Sequence, residues 1–221
     1  MVMSIVNPFF YGLTGSNPAY VSQSITQYTS STSTLSLLKP AGAQSGDILM
    51  ALIFTTEATD TVTAPTSFLG VQDTATTGNR LYSFFKILAS EVNTYCFYYS
   101  STSHSDAIIS GLLFRPANYS TPINCSVEQY NNTASQRYTN PGTTTDKATL
   151  LFAAGYDTNI PAVVIPAGWT TRINTGETGP GKKPWTFAMT LETAGGPTGT
   201  ITVSGDQTTP TLTHLIAMTS Q

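Results

Sequence analysis

Ile48-Leu49-Met50-Ala51-Leu52-Ile53-Phe54 is an unbroken apolar run, and Leu150-Leu151-Phe152-Ala153-Ala154 is a second of the same character. A strand with one wet face alternates apolar and polar side chains, so a run without alternation is expected of a strand buried on both faces. A helix is excluded by length, and because both runs give way to turn-formers and Thr-rich sequence where a helix needs caps and further turns. The two runs read as central strands of an all-β fold.

Working outward, each run opens the same script. Gly46-Asp47 leads into the first run and Ala64-Pro65-Thr66-Ser67-Phe68 follows it; Asp146-Lys147-Ala148 leads into the second and Ile165-Pro166-Ala167-Gly168-Trp169 follows. Asp47 to Pro65 and Ala148 to Pro166 span the same interval. Each half then gives an aromatic alternating strand (Leu81 to Leu88; Trp185 to Leu191), a β-rich strand (Tyr95 to Tyr99; Thr200 to Val203) and a closing apolar strand (Ala107 to Phe114; Leu212 to Met218). Thr34 to Leu38 and Val127 to Tyr130 are weaker strand signals. By alternation, Tyr82, Phe84 and Lys86 correspond to Trp185, Phe187 and Met189, and Ile108, Ser110, Leu112 and Phe114 to Leu212, His214, Ile216 and Met218.

The expected fold is an antiparallel β-sandwich, jelly-roll-like, with very little helix, built from two diverged strand repeats at about residues 34–114 and 127–218. Residues 21–221 are expected to form a single sandwich domain behind an N-terminal arm, residues 1–20, with Phe68 and Trp169, and Phe84 and Phe187, at equivalent places in one shared core. Two bead-like domains are the alternative.

Composition limits the function. Ser and Thr make up roughly 28% of the 221 residues, which suits solvent-facing strand positions, while charged residues are only 10%. A net charge of -3 with nine scattered Lys and Arg gives no footprint for nucleic acid or an anionic membrane. No segment has the apolar length to span a bilayer as a helix, and Met1 to Tyr20 lacks the pattern of a signal peptide, so folding in a cytoplasm is expected. Cys96 and Cys125 are expected as free, partly buried thiols.

Catalytic chemistry finds little to work with. His104 lies with Asp106 and several serines on one short loop, whereas working triads draw on separate elements. His214 falls in a strand and reads as a partly buried residue with a hydrogen-bond partner. The acidic residues fall mostly at turns, and neither Glu57 to Asp60 nor Thr145-Asp146 has calcium-loop spacing. No enzyme, no metal site and no cofactor is expected.

Two groups of aromatics remain. Trp169 reads as a plug that closes the core behind its Pro-Ala-Gly turn, with ligand stacking by Trp169 and Trp185, beside Tyr156, as the rival. Phe9, Phe10 and Tyr11 lie together near the N-terminus and read as the partner-binding part of the arm, packing on the protein's own sandwich or on a neighbour.

Leu38-Lys39-Pro40-Ala41-Gly42, Gly46-Asp47-Ile48-Leu49, Phe114 to Ile123 (FRPANYSTPI), Ile165 to Thr170 (IPAGWT) and Thr198-Gly199-Thr200 with its closing apolar strand together resemble a group of bacteriophage and prophage virion structural proteins. The resemblance covers about residues 22 to 218, and departs where Pro65-Thr66-Ser67-Phe68 replaces the first Pro-x-Gly-Trp turn. It implies a virion component assembled in the host cytoplasm: a capsid decoration or cement protein, or alternatively a tail-fibre or receptor-binding adhesin module. The implied partners are the major capsid protein or other virion proteins and further copies of the chain, for instance in a trimer, with a host surface glycan as a possible ligand.

Overall fold

A computed structural model describes residues 17–30, 32–76, 78–89, 92–100, 106–115, 121–131, 135–139, 148–156, 165–176, 184–193, 200–204 and 211–219. Among these there are only strands, turns and loops. The first half carries β1 (Ala19–Tyr28), β2 (Thr34–Leu38), β3 (Ile48–Thr55), β4 (Thr61–Thr63), β5 (Leu69–Ala75), β6 (Arg80–Ile87), β7 (Thr94–Ser100) and β8 (Ala107–Arg115). The second carries β9 (Ile123–Asn131), β10 (Ser135–Thr139), β11 (Ala148–Tyr156), β12 (Thr170–Gly176), β13 (Trp185–Thr193), β14 (Thr200–Ser204) and β15 (Thr211–Thr219).

The wiring is the same in both halves. A five-stranded antiparallel sheet runs β1-β8-β3-β6-β5 in the first and β9-β15-β11-β13-β12 in the second; the smaller sheets are β2-β7-β4 and β10-β14. The β1-β8-β3-β6 order with β2-β7-β4 in the companion sheet is jelly-roll wiring, with β5 added beside β6. Irregularities coincide too. The β1/β8 ladder shifts between Tyr20 and Ser22, and the β9/β15 ladder shifts at the corresponding step between Ile123 and Cys125. The β5/β6 ladder shifts between Gly70 and Gln72, and β12/β13 between Thr171 and Ile173.

Every residue of β3 and β11 is buried, as their unbroken apolar runs require. The reason is that each lies at the centre of a sheet with a core on either side. Leu49, Ala51 and Ile53 face the small sheet of their own half, meeting Leu35, Leu37, Phe97 and Tyr99. Ile48, Met50 and Leu52 point the other way and pack on Leu151, Ala153 and Ile216 of the second half. Leu150, Phe152 and Ala154 form a third core with Phe187, Met189 and Trp185. The two five-stranded sheets therefore stand back to back, and among the described residues there are three main cores, with a small cluster of Phe54, Leu81 and Leu212 between the halves, where a single shared core is expected. Phe68 and Phe84 belong to the first outer core, and Trp169 and Phe187 to the second.

The ladders also correct one correspondence. Phe54 lies opposite Ile108, and Gly155 opposite Leu212, so the closing strands align as the sequence predicts. On the other side, Ile53 faces Tyr82 while its counterpart Ala154 faces Phe187. Tyr82 thus matches Phe187, Phe84 matches Met189, Lys86 matches Leu191, and Arg80 matches Trp185. Alternation fixes which face a side chain takes, but a slip of two residues preserves the face and escapes it.

The Gly-Asp step ahead of β3 is an anchor. Asp47 is buried and receives Arg115 through Nε at 2.5 Å and a terminal guanidinium nitrogen at 2.6 Å, while the Gln44 amide donates to it at 2.8 Å. Gly42 and Gly46 take φ of 76° and 91° to turn the loop around this carboxylate, a conformation that glycine adopts without strain.

Candidate functional site

The three-stranded sheet is narrower than the five-stranded sheet it covers. It ends at the short β4, so that β5, beyond β6, lies past its edge. An open groove of about 330 Å³ results, lined by Val62 of β4, Gly70, Val71, Gln72 and Asp73 of β5, and Tyr82 and Phe84 of β6. This size lies in the range of small-ligand sites.

Strand alternation places Arg80, Tyr82, Phe84 and Lys86 on one face of β6. Tyr82 and Phe84 stack at 5.9 Å with an interplanar angle of 14°. At one end Arg80 sits 4.9 Å from the Tyr82 ring and grips the Asp73 carboxylate with two hydrogen bonds, 2.8 and 2.7 Å. At the other end Lys86 lies 5.6 Å from the Tyr95 ring. Burial pushes the Tyr82 phenol up to about 12, and its hydroxyl donates to the Asp60 carbonyl at 3.0 Å, so the ring stays neutral. The groove combines aromatic surface, a partly exposed carboxylate and a compensating guanidinium.

The aromatics singled out in the sequence are placed differently. Trp185 and Tyr156 face each other across the β11/β13 ladder, and half-buried Trp169 packs against the same core. They are brought together, but as interior. Trp185 is 7% exposed and its indole N–H donates to Asn174 Oδ1 at 2.8 Å, while burial pushes the Tyr156 phenol well above its ordinary range. Trp185 is a core side chain and presents no stacking face. Trp169 performs the plug role: its amide donates to the Pro166 carbonyl at 3.2 Å across a turn in which Gly168 has φ of 86°. Phe68 makes the equivalent bond to Pro65 at 2.8 Å without a positive-φ residue.

Phe9, Phe10, Tyr11, His104 and Asp146 lie outside the described residues. The boundary of the arm moves, because Asn17 donates to the Thr193 carbonyl at 3.1 Å, Thr149 donates to the Pro18 carbonyl at 2.7 Å, and Ala19 and Tyr20 belong to β1. Cys96 is free and exposed rather than partly buried, since odd positions of β7 face the core and even ones face water. Asp60, within the Glu57 to Asp60 loop, is buried and accepts the Tyr99 hydroxyl. Among the described residues, no three His, Cys, Asp or Glu side chains converge on one point.

His214 is fully buried between the halves rather than partly buried. Its ring nitrogens meet Thr74 Oγ1 at 3.0 Å and Ser83 Oγ at 2.5 Å, both from the opposite half, and burial lowers its pKa to about 3. A neutral imidazole held by two hydroxyls is a cross-link between sheets.

The groove was legible in one signal that alternation alone did not exploit. Two cations occupy core-facing positions of β6, where the matching positions of β13 carry Trp185 and Leu191. Comparison with protein-family models, with curated proteins and with solved structures returns no match for this chain.

Proposed function

We propose that this protein is a structural component of a bacteriophage particle, a capsid decoration module carried on the outer surface. The reading takes its family from the sequence resemblance. The observation that supports it is the back-to-back union of two jelly-roll halves, tied together on both flanks: Gln72 on β5 donates to Ser126 on β9 at 2.7 Å, and Arg172 on β12 lies 4.2 Å from the Tyr20 ring on β1. Two halves packed face to face make one firm unit, which suits a module displayed in many copies.

The test is to mix purified protein with capsids lacking it and image the particles. Regular density on the shell is the expected result, and absence of binding to the shell overturns the reading. Removing residues 1–16, which leaves Asn17, Pro18 and β1 in place, is expected to abolish incorporation if Phe9, Phe10 and Tyr11 hold the shell. The receptor-binding reading is favoured by one observation, the groove beside Tyr82 and Phe84.

A further inference from the structure

We propose that the groove between β4 and the β5-β6 hairpin binds a neutral saccharide unit. The inference stands on the groove and does not depend on where the protein sits in a particle.

Three features select this ligand class. The groove, at about 330 Å³, is open to solvent and suits one or two sugar rings of a longer chain better than an engulfed small molecule. Its lining joins the half-buried Phe84 ring, backed by the buried Tyr82, to the exposed Asp73 carboxylate. Sugars present that combination in reverse, with an apolar C–H face and a rim of hydroxyls. Asp73 is already neutralised by Arg80, yet each oxygen keeps lone pairs that accept hydroxyl donors. With Asp73 paired to Arg80, and Lys86 outside the lining over the Phe68 and Tyr95 rings, the groove favours a neutral ligand over a sialylated or sulfated one.

The fourth observation comes from Gly70. A Cβ built there meets nothing within 4 Å, so the missing side chain leaves space that the fold does not require. The matching position of β12 carries Thr171. The space at this position is set by the side chain and not by the wiring.

The experiment uses the full chain on a printed array of neutral hexose and N-acetylhexosamine oligosaccharides, with sialylated and sulfated ones on the same slide. Retention of neutral glycans is expected. Calorimetry with the best-retained glycan then compares variants: Gly70→Thr, which fills the groove from its wall, and Asp73→Ala are each expected to weaken binding by about tenfold or more, with Trp169→Ala within about twofold of the parent. Melting curves confirm that Gly70→Thr is folded. A silent array, retention of charged glycans alone, or affinity unchanged by Gly70→Thr overturns the proposal. A shell-binding failure in the imaging experiment leaves these outcomes untouched, so the two readings fall separately.

Discussion

Arg80 and Trp185 occupy the same ladder position in the two halves, and so do their partners. Arg80 lies opposite Ala75 and bridges to Asp73; Trp185 lies opposite Gly176 and donates to Asn174. A Cβ added at Gly176 falls 2.4 Å from the Pro184 carbonyl oxygen and 2.5 Å from Trp185 Cε3, so backbone and indole both close on this glycine. One backbone geometry thus supports two chemistries. With Trp185, Phe187, Met189 and Leu191 along β13 the face is an apolar core, whereas along β6 Tyr82 and Phe84 border an open groove. The wiring determines where the face lies, and the side chains determine whether it is filled or left open.

The sharpest way to break this comparison is truncation at the matched position. Trp185→Ala removes a buried ring and is expected to cost about 3 to 5 kcal/mol of stability. Arg80→Ala removes a partly exposed ion pair and is expected to cost about 1 kcal/mol or less. Urea unfolding of the two variants measures both. Equal losses mean that Arg80 is as structural as Trp185, and the contrast between groove and core collapses.

A second pair tests the contact between halves. Phe54 and Gly155 are counterparts, and they also meet: a Cβ at Gly155 falls 2.1 Å from the Phe54 ring. The central core closes there by pairing a large residue with an absent one. Gly155→Val is expected to destabilise by about 2 to 3 kcal/mol through overpacking, and Phe54→Leu in the same chain is expected to recover part of that loss. Additive losses in a double-mutant cycle would falsify the claim that the two positions share one space.

His214 and Ser110 are the next unequal pair. Ser110 is buried with its hydroxyl unpartnered, and it cannot titrate near neutrality; His214 bridges Thr74 and Ser83 and is held neutral. The unfolded chain takes up a proton on this histidine near pH 6.5, while the folded protein resists until about pH 3. Between those values the unfolded state binds more protons, so stability is full above the upper limit and declines as pH falls. The loss expected from this residue between pH 7.5 and 5 is about 2 kcal/mol. His214→Gln keeps a polar partner without the titration, and its stability is expected to change less over the same interval.

How much of this was legible depends on what a strand pattern carries. Ile48 to Phe54 announced burial on both faces, and the interval to Pro65 and Pro166 announced a repeated script, because apolar content and turn residues are local properties. What lay on the second face of β3 was not local, so the three cores could not be separated in advance. The register of β6 against β13 slipped by two because alternation is blind to that step. Trp185 looked like a ligand platform for a related reason: an aromatic on a strand reads alike whether its face is covered or open, and only Gly176 and Asn174 decide. The strand β1 was passed over because AYVSQSITQY alternates weakly, its residues being half-buried along most of its length.

The smallest expected effect is the most informative about the groove. Gly70 stands at a strand position where glycine costs backbone entropy and packs nothing, and the space beside it is empty. Gly70→Thr is therefore expected to leave stability unchanged or raise it by about 0.5 kcal/mol, since threonine suits a strand and restricts the unfolded chain. Thermal unfolding measures this directly. A neutral or stabilising result means that the fold itself does not need glycine here, and that filling the position is possible in the first half as Thr171 shows in the second. A loss of more than about 1 kcal/mol means that Gly70 serves the β5/β6 register shift, which lies immediately after it, and the open groove would then be a by-product of that shift.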